Sequence, residues 1–525
     1  MFSVPLYSEA SVPLSRSAVR FAALALVATA ACEYDARLPS QPGAARAPAF
    51  AVQAASRGGA GQNGRHIVSF SGQIPADFAA QVEQLGGKVL WTSQGSGLAA
   101  VRGLSVSAAT ALAGKPSIAA VDADVLLSLE MPKLSGVDAS GVAGAQSADN
   151  PAGAVRFARQ WNMKAVQADA AWARGFLGSS SVSIFMLDSG IDYLHADLVG
   201  RVDLNRSVDL LGTFDTQLAD GSIVPFTESD TVAKYFPGRF AFTDLFFHGT
   251  HTGATVSSNA VRAAGITSKT KLVAVKVCGY INACPFSSIL GGVLYGADNG
   301  ADVMNLSLGG SIPKKGNKAL IRLINQVFAF AKSQGVTIVV SAGNAATDLD
   351  HNGNTYESFC DTPAAICVSA TGPTSDASAF AAVNPRTGPW TNVDAPSYFT
   401  NFGRKAIDVA APGGNSSFGP PLPLPAGRDV FVWAACSQTS LLIDCSALPI
   451  FIVGAQGTSM SAPHVTGTAA LLVSILGRHP DEIKARLEES ADKIGGKRLS
   501  AFYGNGRLNV ARAVGIQESG DVAAR

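Results

Sequence analysis

The chain has 525 residues, more than one ordinary domain holds, with a net charge of +1, only 15% charged residues and abundant Gly and Ala. No sustained basic patch occurs, which argues against nucleic-acid binding and against electrostatic docking on a membrane surface. No transmembrane helix and no internal repeat stands out.

At the N-terminus, Arg16 and Arg20 precede an apolar stretch at 21–31, too short to span a bilayer, and small residues follow. This reads as an export signal that is removed. Thr29, Ala30, Ala31 and Cys32 resemble a bacterial lipoprotein processing site, with Thr29 where an aliphatic residue is usual; conventional cleavage after Ala30 is the competing reading. A structural cysteine in a buried helix is disfavoured by Glu33, Tyr34, Asp35 and the Pro-, Ala- and Gly-rich linker at 33–64.

Residues 65–130 have their own rhythm: a strand at 66–70, a helix at 76–85, strands at 88–91 and 98–101, a helix at 107–113 and a strand at 118–127. That order is the split β-α-β-β-α-β, ferredoxin-like plan of a small α+β domain. The next stretch, 131–155, is rich in Gly, Ala and Ser with little apolar periodicity, as expected of an exposed linker and processing zone. From 156 to 517, strand-like runs (272–277, 303–308, 336–340) alternate with helical ones (289–299, 319–333). The alternation predicts an α/β domain, a parallel sheet flanked by helices, before a short tail at 518–525.

Four motifs in this domain carry chemistry. An apolar run ends in Asp188, Ser189, Gly190, which puts a carboxylate at a strand tip, although a strand-end Asp taken alone reads as a turn former. His248 stands 60 positions on, ahead of the small residues Gly249, Thr250, Thr252, Gly253 and Ala254. His251 shares its helix face, but the acidic residue and further ligands of a metalloprotease signature are missing. A β-rich run at 336–340 delivers Ser341, Ala342, Gly343, Asn344, so an amide side chain enters a glycine turn. Finally Gly457, Thr458, Ser459, Met460, Ser461, Ala462, Pro463, His464 place a serine at a helix start, where unpaired N–H groups and the positive dipole end favour an oxyanion.

The order Asp, His, Ser, together with the stretches Ala274 to Val277, Val303 to Gly310, Asp408 to Gly413 and Tyr503 to Gly506, resembles the subtilisin-like serine peptidases, the subtilases, from about Gln160 to Val514. The resemblance implies a serine endopeptidase in which Asp188 orients, His248 is the general base, Ser459 is the nucleophile, and Asn344 with the Ser459 N–H forms the oxyanion hole. It further implies that Ser307, Leu308 and Gly309, with Ser341, Ala342 and Gly343, bind a protein or peptide substrate as an added strand. By the same resemblance, 65–130 is an inhibitory propeptide that the enzyme removes itself and the chemistry needs no cofactor; with the N-terminal signal, the product is expected as a monomer, secreted or lipid-anchored through Cys32 to a bacterial envelope membrane. Two other classes share these residues: an esterase, against which stands the absent Gly-x-Ser-x-Gly elbow, and an inactive binding protein, against which stand four occupied chemical positions.

Calcium is the family's usual stabiliser, and Asp197 matches a ligand position. The partner loop at 259–266 is shortened and lacks the Asn-containing ligand pattern, which puts that site in doubt while leaving calcium elsewhere open. Two inserts depart from the family. One, at 203–244, carries Asp209, Asp215, Asp220, Glu228 and Asp230 and reads as a solvated loop, with a lid or ion site as the alternative; the other, at 415–453, is Pro-rich. Six of the seven cysteines form three close sets, Cys278 and Cys284, Cys360 and Cys367, Cys436 and Cys445, each able to close locally in an oxidising compartment, and Cys32 is left over.

Overall fold

The structure is a computed structural model that describes residues 65–127, 129, 132–135, 147–217, 223–374, 390, 392–416, 430–445, 451–494, 496 and 499–516. The export signal, Cys32 and the linker at 33–64 lie outside the described residues, as do the prolines of the second insert.

The small N-terminal domain comprises β1 (His66–Phe70), α1 (Phe78–Gln84), β2 (Lys88–Ser93), β3 (Leu98–Arg102), α2 (Val106–Ala113) and β4 (Ile118–Ala123). Its strands pair in the order β2-β3-β1-β4, antiparallel throughout. Strand alternation divides its apolar residues between two faces. Val68, Ala99 and Val101 pack under Phe78, Val82 and Leu112 of the two helices. Ile67, Leu90 and Ala100 belong instead to the large core cluster of the following domain.

The last strand is shorter than the expected 118–127, because Asp124 turns the chain. Its carboxylate accepts hydrogen bonds from Val125 N, from Ser287 N (2.9 Å) and from Ser287 Oγ (2.6 Å), and it faces the Arg65 guanidinium. Beyond it come β5 (Leu126–Leu127) and β6 (Lys133–Ser135), so a pairing strand stands where an exposed linker was expected.

The large domain runs through β7 (Ser183–Asp188), β8 (Val208–Asp209), β9 (Thr213–Gln217), β10 (Ile223–Thr227), α3 (Glu228–Tyr235), α4 (His248–Val256), β11 (Lys271–Lys276), β12 (Cys284–Pro285), α5 (Phe286–Asp298), β13 (Val303–Leu306) and β14 (Gly310–Pro313). It continues with α6 (Lys318–Ser333), β15 (Thr337–Ser341), β16 (Thr355–Ser358), β17 (Ala365–Gly372), β18 (Ala395–Pro396), β19 (Val409–Pro412), β20 (Val432–Ala435), β21 (Ile452–Gln456) and α7 (Thr458–Leu476). Among the described residues the central sheet has the order β18-β17-β15-β13-β7-β11-β8, with β19 beside β17. Every pairing in it is parallel except that of β18.

All six residues of β7 are buried, as a central strand covered on both faces requires. Phe185 and Leu187 face α5, where Gly296 and Gly292 admit them, whereas Asp188 faces α4. Asp188 thus ends a central strand on the face away from α5. The helix α7 is largely apolar because it is the buried core helix, packed against β13, β15, β17 and α4.

The first insert is not a plain solvated loop. It folds as the antiparallel hairpin β9–β10 and the helix α3, and Glu228 at the head of α3 is buried in an ion pair with Lys276 (2.7 Å). The three nearest-neighbour disulfides, Cys278–Cys284, Cys360–Cys367 and Cys436–Cys445, are present.

Candidate active site

Asp188 and His248 meet where the end of β7 abuts the start of α4. Nδ1 of His248 lies 2.8 Å from Asp188 Oδ1, and both side chains are fully buried. A carboxylate only accepts, so Nδ1 carries the proton and Nε2 of the neutral ring is left with its lone pair. The carboxylate also accepts from Ser189 N (2.7 Å) and Thr252 Oγ1 (3.1 Å), which fixes its plane. Gly249 permits the close approach: a Cβ there would fall 2.1 Å from the carbonyl oxygen of Gly190.

Asp244 organises the same corner, although in the sequence it is only the end of an insert. Its carboxylate accepts from the N–H groups of Phe246, Phe247 and Thr250 and from the hydroxyls of Thr250 and Ser189. Burial pushes its carboxyl up, against the Thr250 hydroxyl and these amides, which favour the anion. An acid placed four residues ahead of a histidine that opens a helix is the local signal that would have found it.

Ser459 is the second residue of α7, in the turn whose N–H groups have no intrahelical acceptor. Pro463 lacks an N–H, so the carbonyl of Ser459 loses its helical partner and instead accepts from Ser307 Oγ (2.8 Å). The Ser459 hydroxyl donates in turn to the carbonyl of Ser307 (3.1 Å). His248 Nε2 is buried with no hydrogen-bond partner among the described residues, so the Asp–His bond is formed and the Ser–His bond is not.

Asn344 borders the same turn. Its Oδ1 accepts from Thr458 N (2.8 Å) and Thr458 Oγ1 (2.9 Å); since a backbone N–H only donates, the facing atom is oxygen and the amide NH2 points away from Thr458. The stretch Ser341 to Gly343 is held from behind, where Asn401 donates from Nδ2 to the Ala342 carbonyl and from its backbone N–H to the Gly343 carbonyl. Ser307, Leu308, Gly309, Ser341, Gly343, Asn344 and Ser459 line one cavity of about 320 Å³, while Ala342 is buried behind it.

The chain's own segment enters this cavity. β5 pairs antiparallel with β12, and β6 pairs antiparallel with β21, the strand leading into Ser459. Leu126, Leu127 and Leu129 line the cavity.

The two other predicted features resolve differently. His251 donates from Nε2 to the Val432 carbonyl (3.1 Å), and no cluster of three His, Cys, Asp or Glu able to hold a metal occurs among the described residues. Asp197 does not fit calcium: its carboxylate receives the N–H groups of Val261 (2.9 Å), Arg262 (2.7 Å) and Ala263 (3.0 Å), so amide protons occupy the directions a cation would need. The shortened 259–266 loop supplies the counterpart to the carboxylate. Asp197→Ala should therefore cost about 3 kcal/mol, with Asp197→Asn milder because one acceptor survives. Urea unfolding in a Ser459→Ala background, where self-digestion cannot intrude, measures it; a loss below about 1 kcal/mol would contradict this account.

Burial lowers the pKa of His251 to about 3, helped by His248, and that of His464 to about 4. Each is neutral in the folded protein but takes a proton near pH 6.5 when unfolded. Their contribution to stability is complete above pH 6.5 and is lost as pH falls toward the folded values, about 2 kcal/mol for each at pH 5. Raised carboxyls such as Asp197 and Asp244 act in the opposite direction, so the informative quantity is a difference. Between pH 7 and 5, His251→Gln should lose less stability than the parent by about 2 kcal/mol; parallel curves would refute this.

The sequence model of the Subtilase family matches residues 179–506. Thermitase of Thermoactinomyces vulgaris is 29% identical over 360 residues, covering 68% of this chain and 96% of that protein, and subtilisin NAT of Bacillus subtilis subsp. natto is 27% identical, covering 67% and 70%. The crystal structure of the epidermin leader peptide processing serine protease from Staphylococcus aureus shares the fold, with a TM-score of 0.63 at 20% identity over 88% of this chain and 99% of that one. An α/β fold of this order, with an acid and a histidine joined at a strand end and a serine heading the core helix, places the chain in the subtilase family of serine endopeptidases.

Proposed function

We propose that the protein is an exported endopeptidase, made as a self-processing zymogen, in which Asp188, His248 and Ser459 form the triad and Asn344 completes the oxyanion hole. The observation that carries this reading is the buried Asp188–His248 bond, which leaves Nε2 able to accept a proton. A bound peptide turns the Ser459 hydroxyl from the Ser307 carbonyl toward Nε2, a bond that commonly forms only with substrate in place. His248 takes the proton as Ser459 Oγ attacks the scissile carbonyl. The developing oxyanion receives hydrogen bonds from Asn344 Nδ2 and the Ser459 N–H, and Asp188 stabilises the imidazolium. The imidazolium protonates the leaving amine, and water then releases the acyl group.

The domain at 65–130 acts as the inhibitory propeptide. It is supported by its docking: Asp124 bonds the first turn of α5, Trp91 Nε1 donates to the Ser287 carbonyl (3.1 Å), and Trp91 packs on Gly291. With β5 and β6 pinned on either side, the bond cut in maturation falls between Leu127 and Lys133. Export, whether through conventional cleavage or lipidation at Cys32, follows from the N-terminal sequence and the three disulfides.

The test is labelling of the purified protein with a serine-directed fluorophosphonate, followed by assays on casein and on short-chain esters. Modification of Ser459 with casein cleavage is expected. Absence of labelling would favour an inactive scaffold, and ester cleavage without casein cleavage an esterase.

A further inference from the structure

Among the described residues that line the cavity beside Ser459, Glu357 is the one ionisable side chain. Glu357 belongs to β16, which pairs antiparallel with β14, the strand directly after Ser307, Leu308 and Gly309, and Ser311 stands opposite it. The residue is only 6% exposed, and Ser311 Oγ donates to its Oε2 (2.7 Å), which holds the carboxylate in one orientation. Its other oxygen lies against Gly343, where an added Cβ would sit 3.3 Å from Oε1, and Gly343 precedes Asn344. The nucleophile, the oxyanion amide and a carboxylate therefore line one and the same cavity. The disulfide Cys360–Cys367 follows within a few residues and ties that strand to β17.

We infer that Glu357 is the specificity-determining residue of the primary pocket, selecting substrates with Lys or Arg immediately before the scissile bond. This rests on the protease reading above and assigns its substrate class. A carboxylate in the lining of such a pocket attracts a cationic side chain, and it must be desolvated by an apolar one and repels an acidic one. The chain's own segment at 128–132 contains neither Lys nor Arg, so self-processing there draws on the high effective concentration of a tethered strand rather than on pocket preference.

The experiment uses mature enzyme on peptides identical except for the residue before the cut: Lys, Arg, its near-isostere Met, Phe and Glu. Lys and Arg should exceed Met by at least about tenfold in kcat/KM and Glu by roughly 100-fold or more. Glu357→Gln should lower the Lys-to-Met ratio by about tenfold, a ratio within one preparation that does not depend on the folded fraction. Should that variant not fold, benzamidine, a cationic probe of the pocket, should compete with the Met peptide in the parent enzyme. Turnover of Met and Phe peptides without a Lys or Arg advantage, or without benzamidine competition, overturns this inference and leaves the protease standing. Failure to cleave any peptide or to label Ser459 overturns the protease reading itself.

Discussion

Replacing Ser459 by alanine should lower peptide hydrolysis by about 2 × 10⁶-fold, the loss characteristic of triads of this kind, and should leave the chain uncut between Leu127 and Lys133. Both effects are expected of one serine, because Leu126, Leu127 and Leu129 line the cavity that Ser459 also lines, and β6 pairs with the strand leading into Ser459. The substitution removes a hydroxyl whose donated bond goes to the Ser307 carbonyl, while the structural bond at this point, Ser307 Oγ to the Ser459 carbonyl, is retained. Folding should be unchanged, with the unfolding free energy within about 0.5 kcal/mol of an inhibited parent. Intact mass spectrometry of the purified variant decides it. A variant processed in isolation, with no other protease present, would mean that a different nucleophile does the cutting.

What could be read from the sequence depended on how local the physical signal was. The buried strand ending in Asp188, the small residues after His248 and the glycine turn before Ser459 each announce themselves within a few positions, and the structure puts them at a strand end, a helix start and the head of the core helix. The domain at 65–123 was legible for the same reason, since its strands are short apolar runs set apart by helical stretches and turn residues.

The misses share a different cause. β5 and β6 are two and three residues long and exist only because β12 and β21 offer edges to them, so no periodicity marks them. Asp197 is a short-range anion site for backbone N–H groups, and an Asp in a loop looks alike whether amides, a cation or water surround it. Glu228 reads as one acid among several in a polar insert until the fold sets Lys276 against it. The role of Pro463 could have been derived, since a proline four residues after a serine at a helix start necessarily frees that serine's carbonyl, but its partner Ser307 lies far away in sequence.

At Asp188 the two obvious substitutions should separate the roles of geometry and charge. Alanine removes both, leaving Nδ1 of His248 without an acceptor and free to adopt the tautomer that places its proton on Nε2, and a loss of about 3 × 10⁴-fold in kcat is expected. Asparagine should be milder here. The oxygen that accepts from His248 also accepts from the Ser189 N–H, which can only donate, so the amide is held with its oxygen toward both. Its NH2 then faces Thr252 Oγ1, a hydroxyl that can accept once it donates to the Gly249 carbonyl (3.2 Å) instead. The productive tautomer is kept, and what disappears is the attraction between carboxylate and imidazolium in the transition state, worth about 4 kcal/mol at the effective dielectric of a protein site and thus on the order of 10³-fold in rate. Steady-state kinetics on one peptide for both variants checks the ordering. Asparagine as damaging as alanine would show that Ser189 does not hold the amide in place, and that the orientation of His248 rests on the charge of Asp188 alone.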